Sequence, residues 1–343
     1  MKKFFFICLL ITSSTSGFAQ ARIDPSVTGK EAGRSALLRL KPRVGDIFHY
    51  KMTSKTQVSI KNANDLFTEG GWRDIKPTDK AATLTTLYIS VTVRAKRINE
   101  ATDFQVRIDS IHYTLDNNGK ITSYSSTNPK DRLEPDFIKY GILTGYDLGA
   151  IYDSTGLEKD IYAFYNIVDE AYANLPDSLQ TDDEMRSLEN QVSSALNTDF
   201  GNIFTTLPEE KAEKDSSFTS SFKEDYTVYS TLSFPMQKEY KQNVVRIEEQ
   251  AGKTYAVIND TTTMTPVERV LDEKEYRTTL PTFTYAKNNT RSIDTENGML
   301  IYSKQTEDRS YSLKIESKAA KDEGKSVVTV QRYKGEAVVE LMK

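Results

Sequence analysis

The sequence predicts a mainly β protein: antiparallel meanders in two related halves, with an inserted α-helical hairpin. Three observations carry that prediction. Apolar and polar residues alternate over most of the chain, Asn-Gly turns separate such runs, and in one stretch, 157–204, the period changes to three and four. The expected divisions are a leader over 1–19, an N-terminal β half over 20–156, the helical hairpin over 157–204 and a C-terminal β half over 205–343.

In the leader, Lys2 and Lys3 precede an apolar run, Phe4 to Ile11, and Gly17-Phe18-Ala19 sets small residues where a signal peptidase reads. This is the pattern of a bacterial secretory signal cut between Ala19 and Gln20. Its run is far short of the roughly 20 apolar residues of a membrane span. The expected location is the periplasm, or beyond it. Loss of Lys2 and Lys3 leaves 43 of the 45 basic side chains against 49 acids, a net charge of −6. That balance argues against nucleic acid as a partner. The one cysteine, Cys8, lies in the leader, so the mature chain is thiol-free, as suits an oxidising compartment. Lys, Glu and Asp on both sides of the strands, and the ending Leu341-Met342-Lys343, count against an outer-membrane barrel. No integral membrane protein is expected.

Residues 20–38 lack periodicity and read as a lead-in. From Ile47 to Ile60, Phe48, Tyr50, Met52, Val58 and Ile60 alternate with polar residues, as in a half-buried strand. Leu87, Ile89, Val91, Val93 and Ala95 repeat the pattern. Asn99 to Thr102 turns the chain, and Phe104 to Leu115 returns with its apolar phase shifting after Ile108, which predicts a β-bulge near Asp109-Ser110. Asn118-Gly119 is a two-residue hairpin turn. Ile161, Phe164, Tyr165, Val168 and Tyr172 then mark an amphipathic helix of about four turns, ended by Pro176. Thr181 to Glu184 fits a capping box for a second helix, with Met185, Leu188, Val192, Leu196 and Phe200 on one face and Gly201 as its stop. Beyond Leu207-Pro208, Tyr226, Val228, Leu232 and Phe234 alternate as a strand. Val245, Ile247, Tyr255 and Val257 flank an Ala251-Gly252 turn, and Asn297-Gly298 signals a hairpin ahead of Met299, Ile301 and Ser303. Tyr311, Leu313 and Ile315 form a strand, and turns at Glu323-Gly324 and Lys334-Gly335 frame two more. The two β portions read as diverged copies, with Arg97–Ile108 overlaying Arg246–Ile258 and Leu40–Tyr50 overlaying Leu207–Phe218.

Leu40-Lys41-Pro42-Arg43-Val44-Gly45-Asp46-Ile47-Phe48-His49-Tyr50, Phe104 to Ser110, Tyr152-Asp153-Ser154 and Leu207-Pro208 together resemble a family of uncharacterised secreted, β-rich proteins of Gram-negative envelopes. The resemblance covers most of the mature chain through turn-and-strand patterns. It implies two β halves and transfers no catalytic residue.

The candidate sites are few. His49 and His112 stand on polar sides of strands without cysteine to share a metal, so no metal or cofactor is expected. Asp116-Asn117-Asn118-Gly119 lacks the alternating oxygens of a calcium loop, since Lys120 breaks the series. Asp103, Asp109, Asp147, Asp153, Asp260 and Asp294 supply carboxylates without showing which of them face one another; Asp153 reads as structural. Trp72, the one tryptophan, lies in a long weakly periodic connection and is the binding candidate, suited to stacking on a sugar or covering an apolar groove; the plainer reading makes it a plug at one end of the sheet. Asp109-Ser110-Ile111, Asp153-Ser154-Thr155, Asp177-Ser178-Leu179 and Asp260-Thr261-Thr262 match an O-glycosylation acceptor pattern that a Ser- and Thr-rich chain also supplies by accident.

Three functional classes follow. Favoured is a non-catalytic exported binding module for an envelope protein, lipid or glycan, because nineteen tyrosines and few reactive groups suit contact more than chemistry. The alternatives are a carrier of an apolar ligand in a half-barrel cavity and a periplasmic glycan or peptide hydrolase. Export predicts that protein recovered from the cell envelope begins at Gln20. Intact-mass spectrometry checks this, and a mass that retains residues 1–19 refutes it.

Overall fold

The computed structural model describes residues 30–31, 35–64, 79–97, 100–134, 137, 141–173, 180–229, 232–250, 253–319 and 325–342. The leader, Trp72 and the Ala251-Gly252 and Glu323-Gly324 turns lie outside them. Two short strands, β1 (Lys30–Glu31) and β2 (Ser35–Ala36), stand in the lead-in. A meander follows: β3 (Ile47–Asn64), β4 (Asp79–Lys96), β5 (Thr102–Asn117) and β6 (Lys120–Ser125). After a 3₁₀ turn over Asp131–Leu133 come β7 (Asp147–Tyr152) and β8 (Glu158–Tyr162), then helices α1 (Phe164–Ala173) and α2 (Asp182–Ile203). The remainder is β9 (Ala212–Glu213), β10 (Ser217–Tyr229), β11 (Leu232–Gln250), β12 (Lys253–Pro266), β13 (Val270–Asp272), β14 (Tyr276–Asp294), β15 (Leu300–Ser317) and β16 (Ser326–Met342).

All but β2 and β9 join one sheet, ordered β1-β11-β12-β14-β15-β16-β3-β4-β5-β7-β8, with β10 on β11, β13 on β14 and β6 on β5. Every named strand pairing is antiparallel, so the fold is mainly β, as the alternation predicts. The last strand pairs with the first long one in unbroken register from Val327↔Asn64 to Met342↔His49.

Several sequence expectations hold in detail. Asp109 is the bulge residue, because Tyr88 faces Ser110 while Ile89 faces Ile108. Asn118 (φ 54°) and Gly119 (φ 89°) are both left-handed, as a tight hairpin turn requires. Others are corrected. The stretch through Ile161 is the strand β8, with Ile161 facing Ala150 and the Tyr162 ring set over Gly149. Left-handed Ala163 (φ 73°) breaks the strand, so α1 has 10 residues and lacks its expected first turn. Gly201 is no stop, since α2 continues to Ile203 and Phe204 N donates to Phe200 O (2.8 Å). Tyr226 and Val228 belong to β10 but Leu232 and Phe234 to β11, with Tyr229 facing Leu232 across the reversal. Asn297-Gly298 sits in a wider turn between Asp294 and Leu300. Lys334-Gly335 makes no turn; flanked on both sides, by β15 and β3, it runs straight through β16.

One face of the sheet is apolar where strands β3 to β7 and the far ends of β11 to β16 meet α2. Val192, Leu196 and Phe200, spaced by four, are buried there with Ile203 and Phe204. They pack with Tyr50, Met52, Leu87, Ile89, Phe104, Ile258 and Val339. Phe204 stacks on Tyr152 (4.2 Å) and leans on Phe104 (4.8 Å). Each such side chain contributes about 1.5–3 kcal/mol by leaving water. A second cluster, with Phe234, Met236, Met264, Leu280, Phe283 and Leu313, occupies the opposite ends of β11 to β15. There the sheet curls over itself, and Tyr226 of β10 reaches Phe283 (5.8 Å) and Tyr285 (6.1 Å) of β14.

The segments that lead into β3 and β10 meet the sheet through the same bonds. Gly45 N donates to Val93 O and Val93 N to Asp46 O; Asp215 N donates to Val244 O and Val244 N to Ser216 O. One residue later both partner strands bulge, at Arg94 and at Val245. These bulges match Ala95 to Arg246, two residues from the overlay of Arg97 on Arg246. The turns at Asp153 and Asp294 also correspond: Asp153 accepts from Thr155 N and Leu157 N, and Asp294 from Glu296 N. Each carries a left-handed glycine, Gly156 (φ 75°) and Gly298 (φ 74°), pressed against the backbone of the other half's lead-in at Thr205 and Arg39.

Two predictions follow. Gly298→Ala and Gly156→Ala add a Cβ into a carbonyl at positive φ and should each cost about 1–3 kcal/mol. Gly201→Ala, with open space in a helix, should be neutral or stabilise by up to about 1 kcal/mol. Urea unfolding at unchanged slope checks both signs. Asp153 is the second case. Partial burial works to raise its pKa but is outweighed by Lys159, Thr155 and the backbone of Leu157 and Thr155, which bring it down from 3.8 to about 2. A depressed folded pKa stabilises above the unfolded value and loses that stability as pH falls through the folded one. Asp153→Asn should therefore be less stable than the parent by about 1–2 kcal/mol at pH 7, a gap that closes between pH 4 and 2.

Candidate functional site: a polar belt inside the curved sheet

Between the two apolar clusters the inward positions of the same strands turn polar. Register defines the rows. Lys287, Glu307, Gly335, Thr56 and Thr83 are successive neighbours on β14, β15, β16, β3 and β4. Beside them run Asn289, Gln305, Ala337, Ser54 and Thr85 on one side, and Tyr285, Arg309, Tyr333, Val58 and Ala81 on the other.

The belt is anchored at β12 and β14. Arg291, 1% exposed, places Nε 2.7 Å from Asp260 in a purely ionic contact, donates from Nη2 to Asp260 (3.0 Å) and reaches Thr206 O (2.9 Å). Tyr240 Oη donates to Asp260 (3.0 Å), and Gln242 Nε2 donates to Tyr240 Oη (2.7 Å) and Thr206 O (2.9 Å). These bonds tie the chain after α2 to the sheet. Burial pushes the Tyr240 phenol well above its ordinary pKa.

The centre is less completely partnered. Arg309 Nη1 donates to Tyr226 Oη (2.5 Å), lies 4.0 Å from Glu307 and puts its guanidinium over Tyr333 (4.2 Å). Burial raises the pKa of Glu307, partly offset by Arg309 and Lys287, and lowers that of Lys287. Among the described residues no hydrogen bond or ion pair reaches Lys287. Arg309 Nε and the hydroxyls of Ser54, Thr83 and Thr85 are buried without a hydrogen-bond partner. Buried polar groups are ordinarily paired, and besides these four atoms Arg291 Nε and Ser292 Oγ are also buried without a hydrogen-bond partner.

The sequence-predicted residues fall elsewhere. Trp72 lies outside the described residues. His49 Nδ1 is 2.9 Å from Ser90 Oγ, which donates to Asp109 (2.5 Å), but serine stands in the middle, so imidazole cannot relay a proton between acid and nucleophile. His112 pairs with Thr86, four residues from Ser90 on β4. Among the described residues no group of three His, Cys, Asp or Glu is placed to hold a metal. Of the six aspartates only Asp260 belongs to the belt. Asp153 and Asp294 fix turns, and Asp103 accepts from Tyr162 (2.8 Å) and Arg97 (3.1 Å). Glu307 and Arg309 were missed because 303–310 is polar in both phases, and Lys287 because 287–292 is. The available signal was parity: Ile301 and Tyr311 are in phase, so one strand spans the gap with its polar residues turned inward.

The outward face carries a shallow hollow of about 370 Å³ lined by Lys55, Gln57, Asn288, Asp308, Lys334 and Glu336. Within the sheet Lys334 is met by Asp308 (3.6 Å) and Glu336 by Lys304 (3.2 Å). No described helix is long and apolar enough to cross a membrane.

No family model matches the chain, and comparison with curated proteins finds no match. Among solved structures, one of lipid–protein interactions in lipovitellin is similar at 14% identity and a TM-score of 0.40 over 88% of this chain. This chain spans about a quarter, 25%, of the length of the lipovitellin chain. Pseudomonas aeruginosa OccK5 (OpdH) aligns at 6% identity over 87% of this chain and 99% of that one, with a TM-score of 0.20. Pseudomonas aeruginosa OpdK with vanillate gives 6%, 87%, 100% and 0.16 in the same order. At these scores the likenesses assign no activity.

Proposed function

We propose that this chain is an exported, non-catalytic binding protein of the bacterial envelope that takes a polar ligand in the belt of its curved sheet. The observation that carries the reading is the set of buried, unpartnered polar atoms on Arg309, Ser54, Thr83 and Thr85, all on one face between two apolar clusters. The leader features of residues 1–19, the thiol-free mature chain and the resemblance to secreted envelope proteins support export. The matching bonds at Val93 and Val244 support two related halves.

The apolar-carrier alternative finds less support. The greasy face that a lipid would use is occupied by Val192, Leu196, Phe200, Ile203 and Phe204. Outward positions such as Lys51, Lys55, Lys61, Lys304 and Lys334 are polar, unlike the lipid-facing band of a barrel.

A thermal-shift panel of sugars, organic acids and phosphate, set against fatty acid and phospholipid, tests the proposal. A polar ligand at about a hundredfold its Kd should add roughly 2.7 kcal/mol, several degrees in Tm, while lipids leave Tm unchanged. Stabilisation by lipid alone establishes the carrier instead, and no response to any polar solute removes the proposal.

A further inference from the structure

We infer that the protein pairs with a second copy of itself through strand β10, joining the two sheets across a twofold axis at Glu224.

The open edge comes first. Strand β10 has 13 residues and pairs with β11 alone. At the other end of the sheet the outermost strands are short, 6 residues in β6 and 5 in β8, as native edges commonly are. Parity shows which backbone groups of β10 are free. Val244 N donates to Ser216 O and Val267 N to Pro235 O, so even positions of β11 turn to β10 and odd ones to β12. Antiparallel partners bond at every second residue, and the register is unbroken from Ser217↔Asn243 to Thr227↔Ser233. Even positions of β10 are therefore bonded to β11. The N–H and C=O of Thr219, Ser221, Lys223, Asp225 and Thr227 point the other way. All five residues are exposed, and among the described residues no hydrogen bond reaches these outward backbone groups.

Charge fixes the occupant and the register. In a twofold pairing of two such edges, odd positions must face odd positions. With Glu224 on the axis, Lys223 meets the partner's Asp225, and symmetry makes that contact twice. An axis one residue earlier sets Lys223 against itself, and one residue later Asp225 against itself, both repulsive. Among the described residues neither Lys223 nor Asp225 has an ion pair or a side-chain hydrogen bond of its own.

The inward face of β10 supplies an independent observation. Phe222 is 46% exposed, with Lys238 Nζ 5.3 Å from the centre of its ring. The same register brings Phe222 opposite the partner's Tyr226. Theirs is a non-hydrogen-bonded pair, with the closer Cα spacing of about 4.5 Å, so two aromatic side chains meet at the seam. Glu224 meets its own copy at the axis, each glutamate held by its Lys238 (3.1 Å), so these four charges balance.

Sedimentation velocity on the mature protein over a dilution series should show monomer and dimer in exchange. Lys223→Asp and Asp225→Lys, each alone, should weaken self-association by about ten- to hundredfold, because two attractive pairs become two repulsive ones. Mixing the two variants should restore a dimer, since every acid at the seam then meets a lysine. Should a charge variant fail to fold by circular dichroism, Ser221→Pro removes an outward N–H without touching the β11 ladder and should abolish the dimer. A protein that stays monomeric at every concentration overturns the inference. A dimer indifferent to these variants, or one that mixing does not restore, overturns the assignment to β10.

Discussion

A single face of very long strands has to be covered from end to end, and among the described residues there is one long helix to do it. Strands of 16–19 residues extend about 55–60 Å, whereas the 22 residues of α2 reach about 33 Å. The face is therefore divided. At one end α2 lays an aliphatic and aromatic stripe on it; at the other the sheet curls until β10 rests on β14 and β15. Neither device supplies apolar cover to the middle, and there the sequence changes from Leu, Ile and Val to Ser, Thr, Gln, Glu and Arg. The belt lies between the two apolar covers, and its chemistry follows from that position.

The belt is also bound into the architecture. Arg291 and Gln242 hold the carbonyl of Thr206, the residue before Leu207, so the return from α2 to the C-terminal strands is fixed by polar groups inside the sheet. Leu207 N in turn donates to Thr155 O, and Leu40 N to Ser154 O, which brings both lead-ins to the same turn of β7 and β8. Buried ion pairs contribute little net stability compared with apolar replacements, and removing one partner is expensive. The Arg291–Asp260 pair thus fixes where a segment goes more than it strengthens the core.

Much of this was legible in the chain. Alternation from Ile47 to Ile60 and from Leu87 to Ala95 placed β3 and β4, and the phase shift after Ile108 located the Asp109 bulge, because a strand with one buried face must keep its parity or kink. The Val192, Leu196 and Phe200 stripe located α2 for the same reason at a different period. What escaped were places where distant pairing overrode local pattern. Ile161 carries a helical spacing with Phe164 and Tyr165, but Ala150 offered it a strand edge. Lys334-Gly335 has turn chemistry, yet strands on both sides hold it extended. The belt was hidden because polar residues facing inward break the rule by which strands are found, and the glutamate, lysine and arginine that meet there are spread over two strands and 23 positions of sequence.

The pairing of β16 with β3 has a kinetic meaning. Strand β3 begins at residue 47 and its partner ends at 342, so one flank of the first long strand stays unsatisfied until residues about 280 positions later have been made. Contacts of such separation are slow to form because the loop entropy must be met first. During that wait β3 presents an unprotected ribbon to every other nascent chain. A polypeptide held extended until β16 is available meets that strand before any stranger's, so this topology gains from whatever delays collapse of the first meander.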